Sequence, residues 1–347
     1  MAISPLLQSL YLSFCAEVVP LQACNLLNES LGRSLANPSQ AYRLIDHFGN
    51  LEAVATELQT PLQEQERLEL PATDDEAVAD EAVADEGGKG VAREVNYAMF
   101  DGGMLPYDDG YHEVKVGRLF QQSQIVLRGR QDQENKVRHQ ILNSEYLVCE
   151  GHYENFVAPF GKLMEQQQQL RPEAKLVVIT DGATWMRQWI EEQFPETTHI
   201  LDFFHAFEHL CDFTSVLIPD DAQRRRDKRE AWKEQLHQGQ LEEIIREVKM
   251  YLVHSCQKVQ EQATGLLTYL TNNRDRMDYK AYREEGLLIG SGAIESAVST
   301  IVQQRCKLRG QRWNQGAKPV MNLRAMYYSR KGKRMERIIL SEYSRAA

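Results

Sequence analysis

The segment Lys175–Thr180 constrains the fold more than any other part of the chain. Its Leu-Val-Val-Ile run is apolar without interruption, which is typical of a strand buried on both faces of a sheet. Such a strand needs helices on both sides, which favours an α/β architecture. The strand stops at Asp181-Gly182, so an acidic side chain stands directly at its carboxyl end.

Four further segments predict strands, and they are 95–100, 112–120, 145–149 and 198–201. Apolar and polar residues alternate along 112–120, as in a half-buried strand. A polar helix is predicted over about 152–170, with a solvated glutamine run at its end, and a second helix over about 183–193. The resulting order β-β-β-α-β-α-β predicts an α/β fold with a mixed five-stranded sheet flanked by helices.

Residues 71–92 form a low-complexity acidic segment that divides the chain. The pentapeptide Glu76–Asp80 is repeated directly as Glu81–Asp85, and so many like charges bury little surface, which predicts a flexible linker. The other predicted regions are a helical N-terminal region (1–70), the first part of the sheet domain (93–202), a helical insertion (203–285), the second part of the sheet domain (286–330) and a solvated basic tail (331–347).

Two interpretations of the N-terminal region stay open. Helices on either side of 32–37 suit a helix-turn-helix that reads DNA, or a plain helical bundle or dimerisation arm. Residues 1–60 carry only two Arg and no Lys, which favours the bundle because phosphate contacts need cations. Asn37-Pro38 predicts a helix start, and Gly49 predicts a helix stop.

Several classes of protein are disfavoured by composition. No stretch approaches 18 consecutive apolar residues, which excludes a membrane-spanning helix. Residues 1–5 contain no basic region, so we expect no secretory signal. The six cysteines form no C-x-x-C pair, which disfavours a structural zinc site or a disulfide framework and fits a cytoplasmic protein.

The net charge of −10 conceals a strong polarity along the chain. Residues 301–347 hold 12 Lys and Arg against 2 Asp and Glu, a net of +10, whereas residues 1–300 hold 28 against 48, a net of −20. A chain with this distribution can bind a polyanion through its C-terminal part while its total charge stays acidic.

Three acidic residues are candidates for a metal site. Asp101 ends the first predicted strand and Asp181 ends the fourth. A buried carboxylate needs a partner, so if these strands are neighbours we expect both carboxylates to converge on a hard cation such as Mg²⁺. Glu295, in a helix after the glycine-rich turn 286–292, is the candidate third ligand. The alternatives are simple Asp-Gly turns and a favourable Glu near a helix N-terminus.

The segment that follows Glu295 is basic. The candidate DNA contacts are Arg305, Lys307, Arg309, Arg312 and Trp313. The four cations are spaced for phosphate contacts, and the indole would either stack on an exposed base or pack in the core. A second charged run, 224–229, would either contact phosphates or form an exposed helix face.

Asp202 and His205 follow the last predicted strand. His205 and His209 are four residues apart and therefore share a helix face, which suggests a zinc site. The zinc motif H-E-x-x-H is absent, since Ala206 follows His205. We expect Asp202 and His205 to lie beside the carboxylates, as supporting residues or substrate contacts, or else to be structural.

Taken together, these motifs resemble the DDE transposases of bacterial insertion sequences, and among them the ISKra type. The resemblance covers roughly residues 95–330 and lies in MFDGG (99–103), HEVKVG (112–117), VVITDGATW (177–185), ILDFFHAFEHL (200–210), IGSGAIESA (289–297) and QQRCKLRGQRW (303–313). It implies an RNase H-like catalytic fold interrupted by a helical insertion. The family's three catalytic acids correspond to Asp101, Asp181 and Glu295.

The resemblance also implies a reaction and its partners. Two Mg²⁺ ions, for which Mn²⁺ can substitute, would be held by the three acids, with Asp101 bridging them. The substrates would be double-stranded DNA, as transposon ends and as target, bound by a homodimer or higher oligomer in the nucleoid of the cytoplasm. Two alternatives remain: a catalytically inactive DNA-binding remnant or repressor, and another RNase H-like nuclease.

Overall fold

The computed structural model describes residues 4–34, 36–50, 94–128, 138–314 and 316–346. These residues fall into two units. The first contains the described residues up to 174 together with those from 293 onwards, and the second contains 175–292.

Three helices begin the first unit: α1 (Pro5–Glu17), α2 (Pro20–Leu31) and α3 (Pro38–Asn50). Each begins with a proline, whose missing N–H is no loss in a first helical turn. The Ser4 hydroxyl caps α1 by accepting a hydrogen bond from the Leu7 N–H at 3.3 Å. The predicted helix start at Pro38 is confirmed.

The predicted helix stop at Gly49 falls one residue before Asn50, the last described residue of α3, where that helix crosses α13 (Ala317–Tyr328). A Cβ on Gly49 would lie 2.4 Å from the carbonyl oxygen of Pro319. The Asn322 Nδ2 group donates a hydrogen bond to the Gly49 carbonyl oxygen at 2.7 Å. The glycine therefore permits close packing of α3 on α13.

The first unit contains three antiparallel strands of the main sheet. β1 (Val95–Tyr107) and β2 (Gly110–Gln121) form a hairpin in unbroken register, and β5 (Glu145–Glu150) pairs with the other edge of β2. Helix α4 (Glu154–Leu170) packs on one face of these strands. A separate hairpin of β3 (Ile125–Arg128) and β4 (Arg138–Ile141) was not predicted.

Helices complete the first unit. α11 (Gly292–Val298) continues through a π-helical turn (Ser299–Gln303) into α12 (Gln304–Cys306). After α13, a 3₁₀ turn (Ser329–Gly332) leads into α14 (Lys333–Ala346).

The expectation of a solvated basic tail is wrong for the described part of 331–347. Helix α14 packs against α1 and α13, and its Met335, Ile338 and Ile339 side chains are buried. The Arg334 guanidinium is buried too, and its Nη1 donates to the Tyr146 carbonyl oxygen at 2.9 Å. The burial of its apolar face therefore determines where α14 lies, despite the basic residues at its start.

The second unit begins with two parallel strands, β6 (Lys175–Thr180) and β7 (Thr198–Leu201), joined through α5 (Thr184–Gln193). Five helices then occupy the segment for which the sequence predicts helices. They are α6 (Phe203–Leu217), α7 (Ala222–His237), α8 (Leu241–His254), α9 (Gln257–Asn273) and α10 (Tyr279–Glu284). In the charged run of α7, the Arg229 Nε donates to the Thr214 hydroxyl at 2.8 Å, so this cation is engaged within the unit.

The predicted α/β class is confirmed: strands β1, β2, β5, β6 and β7 make up a mixed five-stranded sheet flanked by helices. Within the described ranges, no helix has both the length and the apolar character needed to cross a membrane.

Candidate functional site

Asp101 lies in the middle of β1, opposite Val116 of β2. Its side chain is half-buried, and its Oδ1 accepts a hydrogen bond from the Gly102 N–H at 2.6 Å. The predicted position of Asp101 at a strand end is therefore not what the structure shows, because β1 continues to Tyr107.

The two faces of β1 and β2 have different neighbours. Phe100 and Gly117 share the face covered by α4, where a Cβ on Gly117 would lie 2.3 Å from the Phe160 ring. Successive side chains of a strand point to opposite faces. Asp101 therefore lies on the face away from α4, and Arg118 of β2 lies on that same face.

Helix α11, which carries Glu295, packs on the face of β1 that bears Asp101. A Cβ on Gly103 would lie 3.8 Å from Val298 Cγ1. Gly103 and Asp101 share a strand face because they are two residues apart. Val298 and Glu295 are one helical turn apart and share a helix face. The first unit therefore brings together the elements that carry Asp101 and Glu295, and the Glu295 side chain is exposed.

Asp181 lies in the second unit, directly after β6. Its Oδ1 accepts a hydrogen bond from the Ala183 N–H at 3.1 Å. Between them, Gly182 has a φ of 95°, a conformation that glycine adopts readily and other residues do not. The turn therefore fixes the half-buried carboxylate at the end of the strand.

Asp202 follows β7, the parallel neighbour of β6, so it lies at the same edge as Asp181. Its buried carboxylate caps α6 by accepting hydrogen bonds from the N–H groups of Phe204 and His205. It also accepts one from the Ser291 hydroxyl at 2.9 Å and one from the Ser291 N–H at 3.1 Å. Burial raises the pKa of Asp202, although these four hydrogen bonds act in the opposite direction.

The glycine-rich turn before Glu295 is held against α6. The Phe203 N–H donates to the Ile289 carbonyl oxygen at 2.9 Å. A Cβ on Gly290 would lie 2.9 Å from the Phe204 ring, so this position requires a glycine. Asp202 therefore contacts the turn both through its carboxylate and through the helix that it caps.

His205 and His209 do share a face of α6, with ring centroids 5.0 Å apart. The His209 ring packs on Tyr269 of α9 at 3.9 Å between centroids. Burial and the neighbouring His205 lower the pKa of His209. Burial raises the pKa of Tyr269, and among the charges that add to this effect is that of Asp181. A Cβ on Gly182 would lie 3.9 Å from Tyr269 Cε2, so the ring lies near the turn that follows Asp181.

A buried polar network includes Thr180, the residue that directly precedes Asp181. The His199 Nε2 atom lies 2.8 Å from the Thr180 hydroxyl and 2.9 Å from Arg276 Nη1. Arginine has only donors, so the ring nitrogen accepts. Burial and the charge of Arg276 lower the pKa of His199 to about 3. The Arg276 guanidinium also donates to the Asn273 side chain.

The basic segment after Glu295 is attached to β1. The Trp313 N–H donates to the Pro106 carbonyl oxygen at 3.1 Å, and the Asp108 N–H donates to the Trp313 carbonyl oxygen at 2.8 Å. The half-buried Trp313 indole donates to the Cys306 carbonyl oxygen at 2.8 Å, so its N–H is engaged within the chain.

The five predicted DNA contacts differ in exposure. Lys307, Arg309 and Arg312 are exposed. Arg305 is buried, and burial lowers the pKa of its guanidinium. Its side chain therefore lies in the interior of the first unit, where a phosphate does not reach it.

The donor types at the predicted acids fit a hard divalent cation. Asp101 and Glu295 supply carboxylate oxygens from elements packed together in the first unit, and the carboxylate of Asp181 belongs to the second unit. Across the ranges given above, however, no group of three or more His, Cys, Asp or Glu residues could hold a metal ion. The described residues thus include the carboxylates that a divalent cation prefers, but these carboxylates do not form a cluster of three.

Sequence reasoning did not single out Arg118 or Ser291. Arg118 Nη1 donates to the Ala293 carbonyl oxygen at 2.8 Å, at the start of the Glu295 helix. A signal was present, because an arginine stands among apolar residues near the end of the predicted strand 112–120. For Ser291 the only signal in the sequence is its position in a glycine-rich turn, and that position does not indicate that its partner is Asp202.

No protein-family model matches the chain, and no curated protein matches it.

Proposed function

We propose that this protein is a transposase with an RNase H-like catalytic fold, which cuts DNA at the ends of a mobile element and joins the freed 3′-OH to target DNA. The observation that carries the proposal is the pairing of Trp313 with β1, the strand that bears Asp101. This pairing attaches the exposed cations of residues 307–312 to the strand that carries the first predicted acid.

Carboxylates and cations on one unit suit a particular substrate. Lysine and arginine side chains neutralise phosphates and supply sequence-independent affinity for DNA. Carboxylates repel the same phosphates, so they are useful beside DNA only when a divalent cation lies between the two. A phosphodiester backbone with Mg²⁺ satisfies both sets of side chains.

Each group of residues has its own task in the proposed reaction. Lys307, Arg309 and Arg312 bind the DNA backbone. Asp101, Asp181 and Glu295 would hold Mg²⁺, which when bound favours deprotonation of the attacking oxygen and stabilises the leaving oxygen. Asp202 holds the turn that precedes Glu295.

The proposed chemistry consists of two successive displacements at phosphorus. In the first, water attacks the phosphodiester at the element's end, and the departing 3′ oxygen takes up a proton to give a free 3′-OH. In the second, this hydroxyl attacks a phosphodiester of the target, and the displaced target oxygen leaves as a hydroxyl. Two ends must be held at once, so we expect at least two protomers on the DNA.

The test uses a labelled duplex carrying the DNA that flanks this coding sequence, incubated with the full-length protein and Mg²⁺, Mn²⁺ or Ca²⁺. We expect cleavage with Mg²⁺ or Mn²⁺ but not with Ca²⁺, and joining of the 3′-OH products to a second duplex. Asp101→Asn, Asp181→Asn and Glu295→Gln should each reduce cleavage by more than about 100-fold. A loss of this size exceeds the loss that is typical when a residue hydrogen-bonded to a metal ligand is replaced.

Two exposed acids provide matched controls. Asp220→Asn and Glu192→Gln remove one carboxylate each and should leave cleavage unchanged. DNA affinity should persist in all five variants. Tight DNA binding without cleavage in any metal would favour a DNA-binding remnant, and cleavage without joining would favour another RNase H-like nuclease.

A further inference from the structure

Arg118 is a buried cation whose polar partners are neutral. It is 5% exposed. Its Nη1 donates to the Ala293 carbonyl oxygen at 2.8 Å, and its Nε donates to the Ser144 hydroxyl at 3.0 Å. Its guanidinium lies 5.3 Å from the centroid of the Tyr146 ring. Among the described residues, no carboxylate forms an ion pair with Arg118.

Burying the Arg118 charge is unfavourable in free energy if the side chain only fills space. Removing a charge from water costs several kcal/mol, and an apolar side chain of similar volume often replaces a buried ion without loss of stability. Burial accordingly lowers the pKa of Arg118. We therefore expect the contacts of the guanidinium to have a role beyond filling space.

The guanidinium holds the start of the helix that carries Glu295. Ala293 lies in the first turn of α11, two residues before Glu295. Its carbonyl oxygen has two lone pairs, so it can accept from Arg118 as well as from the helix backbone. The planar, forked guanidinium joins this carbonyl to Ser144, which lies just before β5, and so fixes α11 relative to the strands.

Arg118 also lies on the sheet face that bears Asp101. It pairs with Met99, two residues before Asp101, in the β1–β2 register. The arginine therefore links the surface on which Asp101 lies to the helix on which Glu295 lies. A shift of that helix by about 1 Å is enough to spoil a catalytic geometry.

We propose that Arg118 is a positioning residue, which holds α11 by the Ala293 carbonyl and thereby sets the distance between Glu295 and Asp101. This inference rests on the proposed function, because it gives Glu295 a metal-binding task. The positioning itself is a property of the fold and can be measured without any reaction.

The test compares Arg118→Met and Arg118→Lys with the wild-type protein, all as full-length chains. Amide hydrogen exchange reports on residues 293–298, and cleavage is measured as a function of Mg²⁺ concentration. In Arg118→Met we expect exchange over 293–298 to rise at least tenfold and the Mg²⁺ concentration for half-maximal cleavage to rise about 10- to 100-fold. DNA affinity should stay unchanged. Arg118→Lys keeps the charge but not the fork, and should recover part of both effects.

A matched control is Arg229→Lys, which alters an arginine bonded to Thr214 and Ser215 of α6. It should leave exchange over 293–298 and the Mg²⁺ dependence as in the wild type. If Arg118→Met does not fold, Ser144→Ala serves in its place, because it removes one of the two hydrogen bonds and should raise exchange over 293–298 to a smaller extent.

The outcomes separate the two proposals. A wild-type protein that cleaves under no condition would overturn the proposed function, while the exchange data would still decide whether Arg118 holds α11. Unchanged exchange over 293–298, or a rise shared equally by all the strands, would overturn the positioning role.

Discussion

The carboxylate of Asp202 accepts two hydrogen bonds from a single residue, Ser291, one from its hydroxyl at 2.9 Å and one from its N–H at 3.1 Å. The same carboxylate caps α6. One buried side chain thus joins the end of β7, the start of a helix and the turn that leads to Glu295.

This junction predicts unequal effects for its two partners. Asp202→Asn retains one oxygen but replaces the other with a donor, which faces the N–H and hydroxyl groups that the carboxylate now satisfies. We expect it to lower the free energy of unfolding by about 1.5–3 kcal/mol, whereas Ser291→Ala should cost about 0.5–1.5 kcal/mol. Urea denaturation at pH 7 measures both, and an Asp202→Asn cost no larger than that of Ser291→Ala would contradict the assignment.

Gly117 offers a test of the packing between β2 and α4. A Cβ there would lie 2.3 Å from the Phe160 ring, so Gly117→Ala should lower the free energy of unfolding by about 1–3 kcal/mol through overpacking. Adding Phe160→Leu should cost less in the Gly117→Ala background than in the wild type. The control is Gly265→Ala in α9, where a Cβ would meet nothing within 4 Å, and where we expect a gain of up to about 1 kcal/mol.

Gly49 makes a corresponding prediction for the N-terminal helices. A Cβ there would lie 2.4 Å from backbone atoms of Pro319, which cannot turn aside as a side chain would. Gly49→Ala should therefore separate α3 from α13 and raise amide exchange in α3 more than in β1 or β2. Equal exchange in the two proteins would show that the helices accommodate the methyl group.

His199 predicts a dependence of stability on pH. Its pKa falls from 6.5 to about 3 in the folded protein, so between these values the unfolded chain binds the proton and the folded chain does not. Stability from this group is therefore complete above pH 6.5 and is lost as the pH falls towards 3. His199→Gln keeps an acceptor for Arg276 without titrating, and should lose less unfolding free energy between pH 7 and pH 5 than the wild type. Urea denaturation midpoints of both proteins at pH 7 and pH 5 test this prediction. An equal loss of stability in the two proteins would exclude a contribution from His199.

The sheet was predictable from sequence because its strands carry strong local signals. The apolar run 175–180 and the alternation over 112–120 each specify a strand without reference to distant residues. The same local signal made the position of Asp181 predictable, since it directly follows the apolar strand. Asp101 shows the limit, because the strand continues six residues beyond it to Tyr107.

Features that depend on distant partners were not predictable. The close packing of Gly49 on Pro319 has no local signal in the sequence, because the two residues are far apart along the chain. Arg305 belongs to a basic segment in sequence, but the π-helical turn 299–303 changes the helical phase before it. The apolar face of α14 has regular helical spacing in the sequence, yet the cluster of basic residues at its start favoured the opposite interpretation.

The hydrogen bond between Asn322 and Gly49 has a consequence for synthesis of the chain. Its two residues are 273 positions apart, and ribosomes add about 5–20 residues per second. Some 14–55 s therefore pass, by the same rates, between the translation of α3 and that of its partner α13. Throughout that interval α3 lacks the helix that packs on it in the finished protein, so this contact of the first unit forms only after residues 317–328 have been synthesised.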